Sequence, residues 1–273
     1  MRHEYNYYNK GELMKAPKIP LIVMEDNQAV FKAMAEEMVD TIKEKNKKNE
    51  ITVFICPVGP VGQYTYFTEI VNQENISLEN VWFINMDEYL TDDKTWIPKE
   101  DRLSFRGFMD KNVYGVIKPE LVMSKEQRIF PDPQNLNYIP QLIEKLGGVD
   151  ICFGGIGING HVAFNEARED LSPEEFLELQ TRVLEISKET RAVNSIGDLN
   201  GALEDMPQYC ITIGINEISH ARKVRLGCFR DWHRSVVRRA AYGEKSASFP
   251  VSLLQSHPDI NIRMTELVAN LPM

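Results

Sequence analysis

Of the 273 residues, the stretch Val149-Asp-Ile-Cys-Phe-Gly-Gly-Ile-Gly-Ile-Asn-Gly-His-Val-Ala-Phe-Asn-Glu166 most constrains the fold. Val149 to Phe153 is a run of strand formers, and it breaks into glycines at Gly154, Gly155, Gly157 and Gly160. A buried strand stopping in a glycine loop is where open α/β sheets hold ligands, outside the carboxyl ends of the strands. Glycine lets the backbone approach a ligand closely there. Within eight residues this loop also delivers Asn159, His161 and Glu166. A histidine flanked by an amide and a carboxylate can be held in one tautomer and used as acid or base near neutral pH. The competing reading is a plain turn capped by His161. The density of polar groups directly after a strand end favours a site.

The rest of the chain alternates between strand and helix patterns. Ile19 to Met24 is a short apolar strand, and Asp26 or Asn27 can cap the following helix. Phe31, Met34, Met38 and Ile42 form an amphipathic stripe, and the charged run from Lys43 to Glu50 reads as a solvated helix terminus and loop. Ile51 to Cys56 and Val81 to Met86 are the second and third strands. Ser104 caps a helix, and a stripe at Ile139, Leu142, Ile143 and Leu146 stops at Gly147-Gly148 in the way glycine ends helices. Ser172-Pro-Glu-Glu175 is a capping box that starts a short helix. Segment 167–188 directly follows the polar loop and suits a lid. Tyr209 to Gly214 and Lys223 to Phe229 are further strands. The alternation predicts an α/β fold: one three-layer α/β/α domain over residues 1–273, with a doubly wound, mostly parallel sheet of about seven strands. Residues 1–18 read as a polar arm suited to packing on a neighbour.

A net charge of −9 argues against a nucleic-acid surface. The first residues lack the apolar core of a signal peptide, and no apolar run reaches membrane-spanning length. Cysteines 56, 152, 210 and 228 lie far apart in apolar runs, as buried free thiols of a reducing compartment do. The expectation is a cytoplasmic protein with a small-molecule ligand, no metal centre, and neither nucleic acid nor membrane as partner.

Three more features carry chemistry. Pro57-Val-Gly-Pro-Val-Gly62 sits between a strand and a helix, the geometry that aims backbone amides at an anion. Pro60 has no N–H and the turn has no hydroxyl, so a phosphate cradle around Gly59 and a simple tight turn both remain open. Asp87 and Glu88 follow the third strand, where carboxylates face the ligand crevice or cap the next element. Arg230, Arg234 and Arg238 recur every four residues, so they share one helix face near its positive end. That face reads as an anion site or, for Arg238 above all, as a solvated surface paired with carboxylates.

Asn85-Met-Asp-Glu-Tyr89, the motif from Gly154 to Glu166, and Ser252-Leu-Leu-Gln-Ser-His-Pro258 together resemble the glucosamine-6-phosphate deaminase (isomerase) family. That family shares its fold with 6-phosphogluconolactonases. The similarity runs in motif order from about Ile19 to the C-terminus, and the ending Ala163-Phe-Asn-Glu166 resembles the deaminases, where lactonases continue Ser-Leu-Phe-Pro. The resemblance implies that Asp87 is the base moving a proton between C2 and C1 of an amino-sugar phosphate. It implies that His161 assists ring opening with Glu166 as its carboxylate partner, that ammonia leaves C2, and that no cofactor is needed. It matches Arg234 to the family's phosphate lysine and implies a homo-oligomer; Gly59, Gly157 and Arg230 are expected beside Arg234 as sugar-phosphate contacts. The chain departs from the family pattern at Asn159, where the family has aspartate. It departs again at Val58-Gly-Pro-Val61 for Thr-Gly-Gly-Thr, and at Ile196, where an arginine follows the Asn-Ser pair. These changes leave two alternatives beside an active deaminase: a catalytically silent sugar-phosphate-binding paralogue, and, ranked last, a 6-phosphogluconolactonase.

Overall fold

The computed structural model describes residues 2–271; the other members of the expected 1–273 domain, Met1, Pro272 and Met273, lie outside the described residues. Seven parallel strands form the central sheet: β1 (Leu21–Met24), β2 (Thr52–Cys56), β3 (Val81–Asn85), β5 (Arg128–Ile129), β6 (Ile151–Gly155), β9 (Lys223–Cys228) and β10 (Ile260–Thr265). Their spatial order is β1-β10-β9-β6-β2-β3-β5. The inner strands are near-continuous apolar runs because helices cover both faces. Every residue of β2 is buried.

On one face, α2 (Asn27–Lys47) and α3 (Gln63–Glu74) pack Val30, Met34, Met38, Phe67 and Val71 against Phe54, Phe83 and Phe153 of the sheet. Asp26 caps α2 by accepting the Ala29 N–H at 2.8 Å. The helix runs through Lys47, so part of the expected solvated run is helical, and Lys45 is paired with Asp150 at 2.7 Å. The other face is covered by α5 (Tyr138–Lys145), α9 (His233–Tyr242) and α10 (Glu266–Ala269), which pack around Ile55, Ile84, Cys152 and Leu226. Gly147 and Gly148 follow α5 at φ +78° and +102°, the left-handed backbone that ends a helix.

The chain runs outward from β2 to β3 and β5, then returns to β6 on the opposite side of β2. The order therefore reverses between β2 and β6, and the loops leaving their carboxyl ends splay apart into a crevice. These are the glycine loops 57–62 and 156–161.

The sequence did not announce a second sheet. After Asn85 the chain passes Met86 and enters β4 (Asp87–Leu90), which pairs antiparallel with β8 (Tyr209–Thr212), itself paired with β7 (Arg182–Glu185). So Tyr209–Gly214 does not extend the parallel sheet; it is the centre of a three-stranded cap. Segment 167–188 likewise is no free flap. It contains α6 (Pro173–Leu177), started by the Ser172 capping box, and the pinned strand β7.

The amino-terminal arm packs on its own chain. Asn9 and Glu12 form a capping box on α1 (Lys10–Leu13), Leu13 is fully buried, and Lys10 pairs with Glu266 at 2.6 Å. Arg238 holds this arm. It is fully buried, and its guanidinium donates to the carbonyls of Tyr8, Arg234, Val268 and Ala269 at 2.8–3.2 Å. The expected solvated surface role for Arg238 is thus wrong: a planar fork satisfies carbonyls from three segments at once. A lysine keeps the charge but not the fork, so Arg238→Lys should lower stability by about 1–2 kcal/mol. A denaturation midpoint that falls at unchanged slope would register this. Among the described residues no helix is long and apolar enough to cross a membrane.

Candidate active site

A cleft of about 170 Å³ opens over the carboxyl ends of β2, β3, β6 and β9. Its wall includes Val58, Gly59, Asp87, Gly157, His161 and Arg230, together with one face of α7 (Lys188–Asp198). Five of the eight residues singled out in the sequence therefore meet in one crevice. Asn159 and Glu166 stand behind His161. Arg234 does not join them.

Asp87 and Glu88 are neighbours with opposite fates, because successive residues of β4 point to opposite faces. Glu88 is fully buried and accepts from the N–H groups of Phe105 and Arg106, from Ser104 Oγ and from Arg106 Nε, at 2.9–3.1 Å. It anchors α4 (Phe105–Met109) to β4. Asp87 faces the cleft, and among the described residues its carboxyl has no hydrogen-bond partner. Burial, and next the charge of Glu88, hold its pKa well above the usual carboxylate range. A buried carboxyl left unpaired at the wall of a crevice is available for proton transfer.

His161 is oriented by a relay. Its Nδ1 lies 2.7 Å from Asn159 Oδ1, and Asn159 Nδ2 donates to Glu166 Oε2 at 2.6 Å. Because the amide turns its nitrogen to the carboxylate, its oxygen faces the ring, so His161 Nδ1 carries the proton and Nε2 is the free base. Gly157 seats the imidazole: a Cβ there would lie 2.0–2.1 Å from ring atoms Cε1 and Nε2. Burial lowers the His161 pKa, and the charge of Glu166, 3.7 Å from Nδ1, opposes this. Ala163, two residues on, sits at φ +56°. That is a strained setting for an L-residue of the kind stored at functional loops.

Glu166 also accepts from Thr190 Oγ1 at 3.1 Å, and Ser187, the cap of α7, accepts the Thr190 N–H. The relay is thereby tied to the helix that presents Asn194 and Asp198 to the cleft. Sequence reading passed over Ser187, Thr190 and Asp198, and met Asn194 only as the first residue of the Asn-Ser pair ahead of Ile196. The one available signal was Ser187-Lys-Glu-Thr190, the start of a capped helix.

Of the two arginines expected to bind substrate, Arg230 lines the cleft, 5.9 Å from the Trp232 ring centroid. Arg234 is turned to the protein: Nε donates to the Leu267 and Asn270 carbonyls, and Nη1 pairs with Asp231 at 2.7 Å. The reason is where α9 begins. Its first residue is His233, so Arg230 lies in the preceding loop and the four-residue spacing does not place the two on one helix face. Gly59 lines the cleft with open space around it, whereas Ile196, at the position of the family arginine, is 72% exposed and outside the wall.

The relay makes a definite expectation. An aspartate at 159 would set a second carboxylate against Glu166, and a proton on His161 would relieve both. Asn159→Asp should raise the His161 pKa, because the added carboxylate stabilises the imidazolium. NMR titration of the imidazole checks this; an unchanged or lower pKa would mean that residue 159 does not govern His161.

No protein-family model matches the chain. Curated relatives do. It is 26% identical over 249 residues to a glucosamine-6-phosphate deaminase of Thermoanaerobacter pseudethanolicus, covering 88% of this chain and 92% of that one. A glucosamine-6-phosphate deaminase of Bacillus velezensis is 28% identical over 247 residues, covering 88% and 95%. Among solved structures, a monomeric glucosamine-6-phosphate deaminase superposes with a TM-score of 0.79 at 24% identity, covering 92% of this chain and 99% of that one. A 6-phosphogluconolactonase from Trypanosoma cruzi gives 0.65 at 16% identity, covering 94% and 97%. The chain is thus similar over most of its length to glucosamine-6-phosphate deaminases, and it has the fold of a deaminase and of 6-phosphogluconolactonases.

Proposed function

We propose that the chain is an amino-sugar-phosphate deaminase that isomerises a 2-amino aldose to a ketose and releases ammonia by hydrolysis of the C2–N bond. The observation that carries this reading is the unpaired, buried carboxyl of Asp87 in the same cleft as a tautomer-fixed His161. His161 Nε2 takes the proton of the C1 hydroxyl and returns one to the ring oxygen, which opens the pyranose. The ionised Asp87 takes the C2 proton while the C1 oxygen takes a proton from the substrate's own C2 ammonium, giving a neutral 1,2-enolamine, and Asp87 then delivers its proton to C1. The resulting C2 imine is hydrolysed: water adds to C2, the C–N bond breaks, and ammonia and ketose leave in equal amounts. Positioned proton transfer of this kind contributes about 10²–10⁴ in rate. Arg230 supplies the cation for the phosphate, helped by the amides of loop 57–62 at the start of α3.

The test is ammonia release over a panel of amino sugars with and without a 6-phosphate. Turnover confined to 2-amino aldoses, and faster on the phosphates, is expected. Silence across the panel would favour a binding paralogue, and lactone hydrolysis in place of ammonia release would overturn the reaction class.

A further inference from the structure

His233 is the one buried histidine of the cleft wall that the proposed chemistry does not use. It is 4% exposed. Its Nδ1 accepts the backbone N–H groups of both Phe229 and Arg230 at 2.9 Å. Its Nε2 stands 3.0 Å from the carbonyl of Ile156, a group that can only accept. Those three partners dictate the Nε2–H tautomer: a protonated Nδ1 would face two donors with no lone pair. Burial agrees, pushing its pKa down to about 3. The ring is clamped flank to flank by Trp232, whose centroid lies 4.0 Å away, and by Phe229 at 5.9 Å.

The two loops so joined are both functional. Ile156 precedes Gly157, on which the His161 ring rests, and Phe229–Arg230 carries the only arginine of the wall. Among the described residues the Arg230 guanidinium has no hydrogen-bonded partner, so its place is set by its backbone, by Trp232 and by the charge of Asp198 at the end of α7. We propose that His233 is a positioning residue: as a neutral imidazole it ties the loop after β6 to the loop after β9 and thereby fixes where Arg230 stands in the cleft. Its role is distinct from that of His161, which acts on the substrate. The proposal rests on the reading of this cleft as the active site.

Two substitutions separate the two halves of the clamp. In His233→Asn the Oδ1 atom can take the place of Nδ1 and keep the Phe229 and Arg230 donors, while the Ile156 link is lost. In His233→Gln the Nε2 atom can reach Ile156, while the Arg230 loop loses its acceptor. With glucosamine 6-phosphate, the glutamine variant should raise KM about tenfold at nearly unchanged kcat, and the asparagine variant should lower kcat more than it raises KM. In an Arg230→Ala background, His233→Gln should add no further rise in KM, since coupled residues are not additive. Equal losses in kcat and KM that track the folded fraction, or full additivity with Arg230→Ala, would overturn the proposal and leave His233 a packing residue.

Imidazole ¹⁵N NMR of the parent chain should show the Nε2–H tautomer, without titration between pH 5 and 9; titration in that range would also overturn the clamp. A parent chain that releases no ammonia counts against the proposed reaction alone. The clamp is then judged by the tautomer and by binding of inorganic phosphate. Weaker binding in His233→Gln than in His233→Asn supports it, and equal binding refutes it.

Discussion

Asp87→Asn should lower ammonia release by about 10²–10⁴ while leaving KM within a few-fold of the parent value. The asparagine has the same shape, and the aspartate it replaces has no hydrogen bond to the protein that the change could break. What is lost is the group that accepts the C2 proton. The pH dependence has a definite sign. Asp87 must be ionised to act as a base, and burial and Glu88 raise its pKa. The acidic limb of kcat should therefore rise at a pH above the ordinary carboxylate range, with activity lost as pH falls through that raised pKa. The same limb should vanish in the residual activity of Asp87→Asn. Glu88→Gln is the informative contrast. Glu88 holds α4 through four donors, so its loss should show first in stability.

Gly157→Ala is the second large effect. The added methyl would sit 2.0–2.4 Å from three atoms of the His161 ring, far inside contact distance. The ring cannot swing away without leaving Asn159 Oδ1, since the backbone is also fixed by the Gly157 N–H to His161 carbonyl bond at 2.8 Å. A displacement of about 1 Å in a catalytic group costs on the order of 10²-fold, so turnover limited by ring opening should fall by about that factor. Gly59→Ala, which meets nothing within 4 Å, should fold as the parent does and provides the control for adding a methyl to a crevice glycine. Steady-state ammonia release decides the matter. Parental turnover in Gly157→Ala would remove His161 from the chemistry.

The parts legible in the sequence share one property: a local pattern dictates them. Buried parallel strands such as Ile51 to Cys56 announce themselves as apolar runs, and Asp26, Ser104 and Ser172 announce helix starts by their capping chemistry. The crevice followed from strands ending in glycine, at Gly155 and before Gly59. What escaped was set by tertiary pairing. The strands β4 and β7 are short and polar, and only their partner β8 makes them strands, so Asp87 read as a strand end when it opens a second sheet. The arginines escaped for a related reason. Periodicity assumed a helix from Arg230 onward, yet the helix begins at His233, and that histidine's own hydrogen bonds shape the turn. Buried Arg238 could not be recognised because its carbonyl partners come from residues 8, 268 and 269, more than two hundred positions away in one case. The relay through Asn159 was half visible. Its spacing to His161 and Glu166 was on the page, but the extension to Thr190 and Ser187 required the fold.

In the proposed reaction Asp87 takes a proton from carbon 2 of an amino sugar, a step that isotope loss measures. Glucosamine 6-phosphate deuterated at C2 should lose deuterium from C2 in the parent chain, to C1 of the ketose or to solvent by exchange at Asp87, at the rate at which ammonia and ketose appear. In Asp87→Asn both rates should fall together by about 10²-fold or more. Equal rates of deuterium loss in the two proteins, or none in the parent, would contradict it.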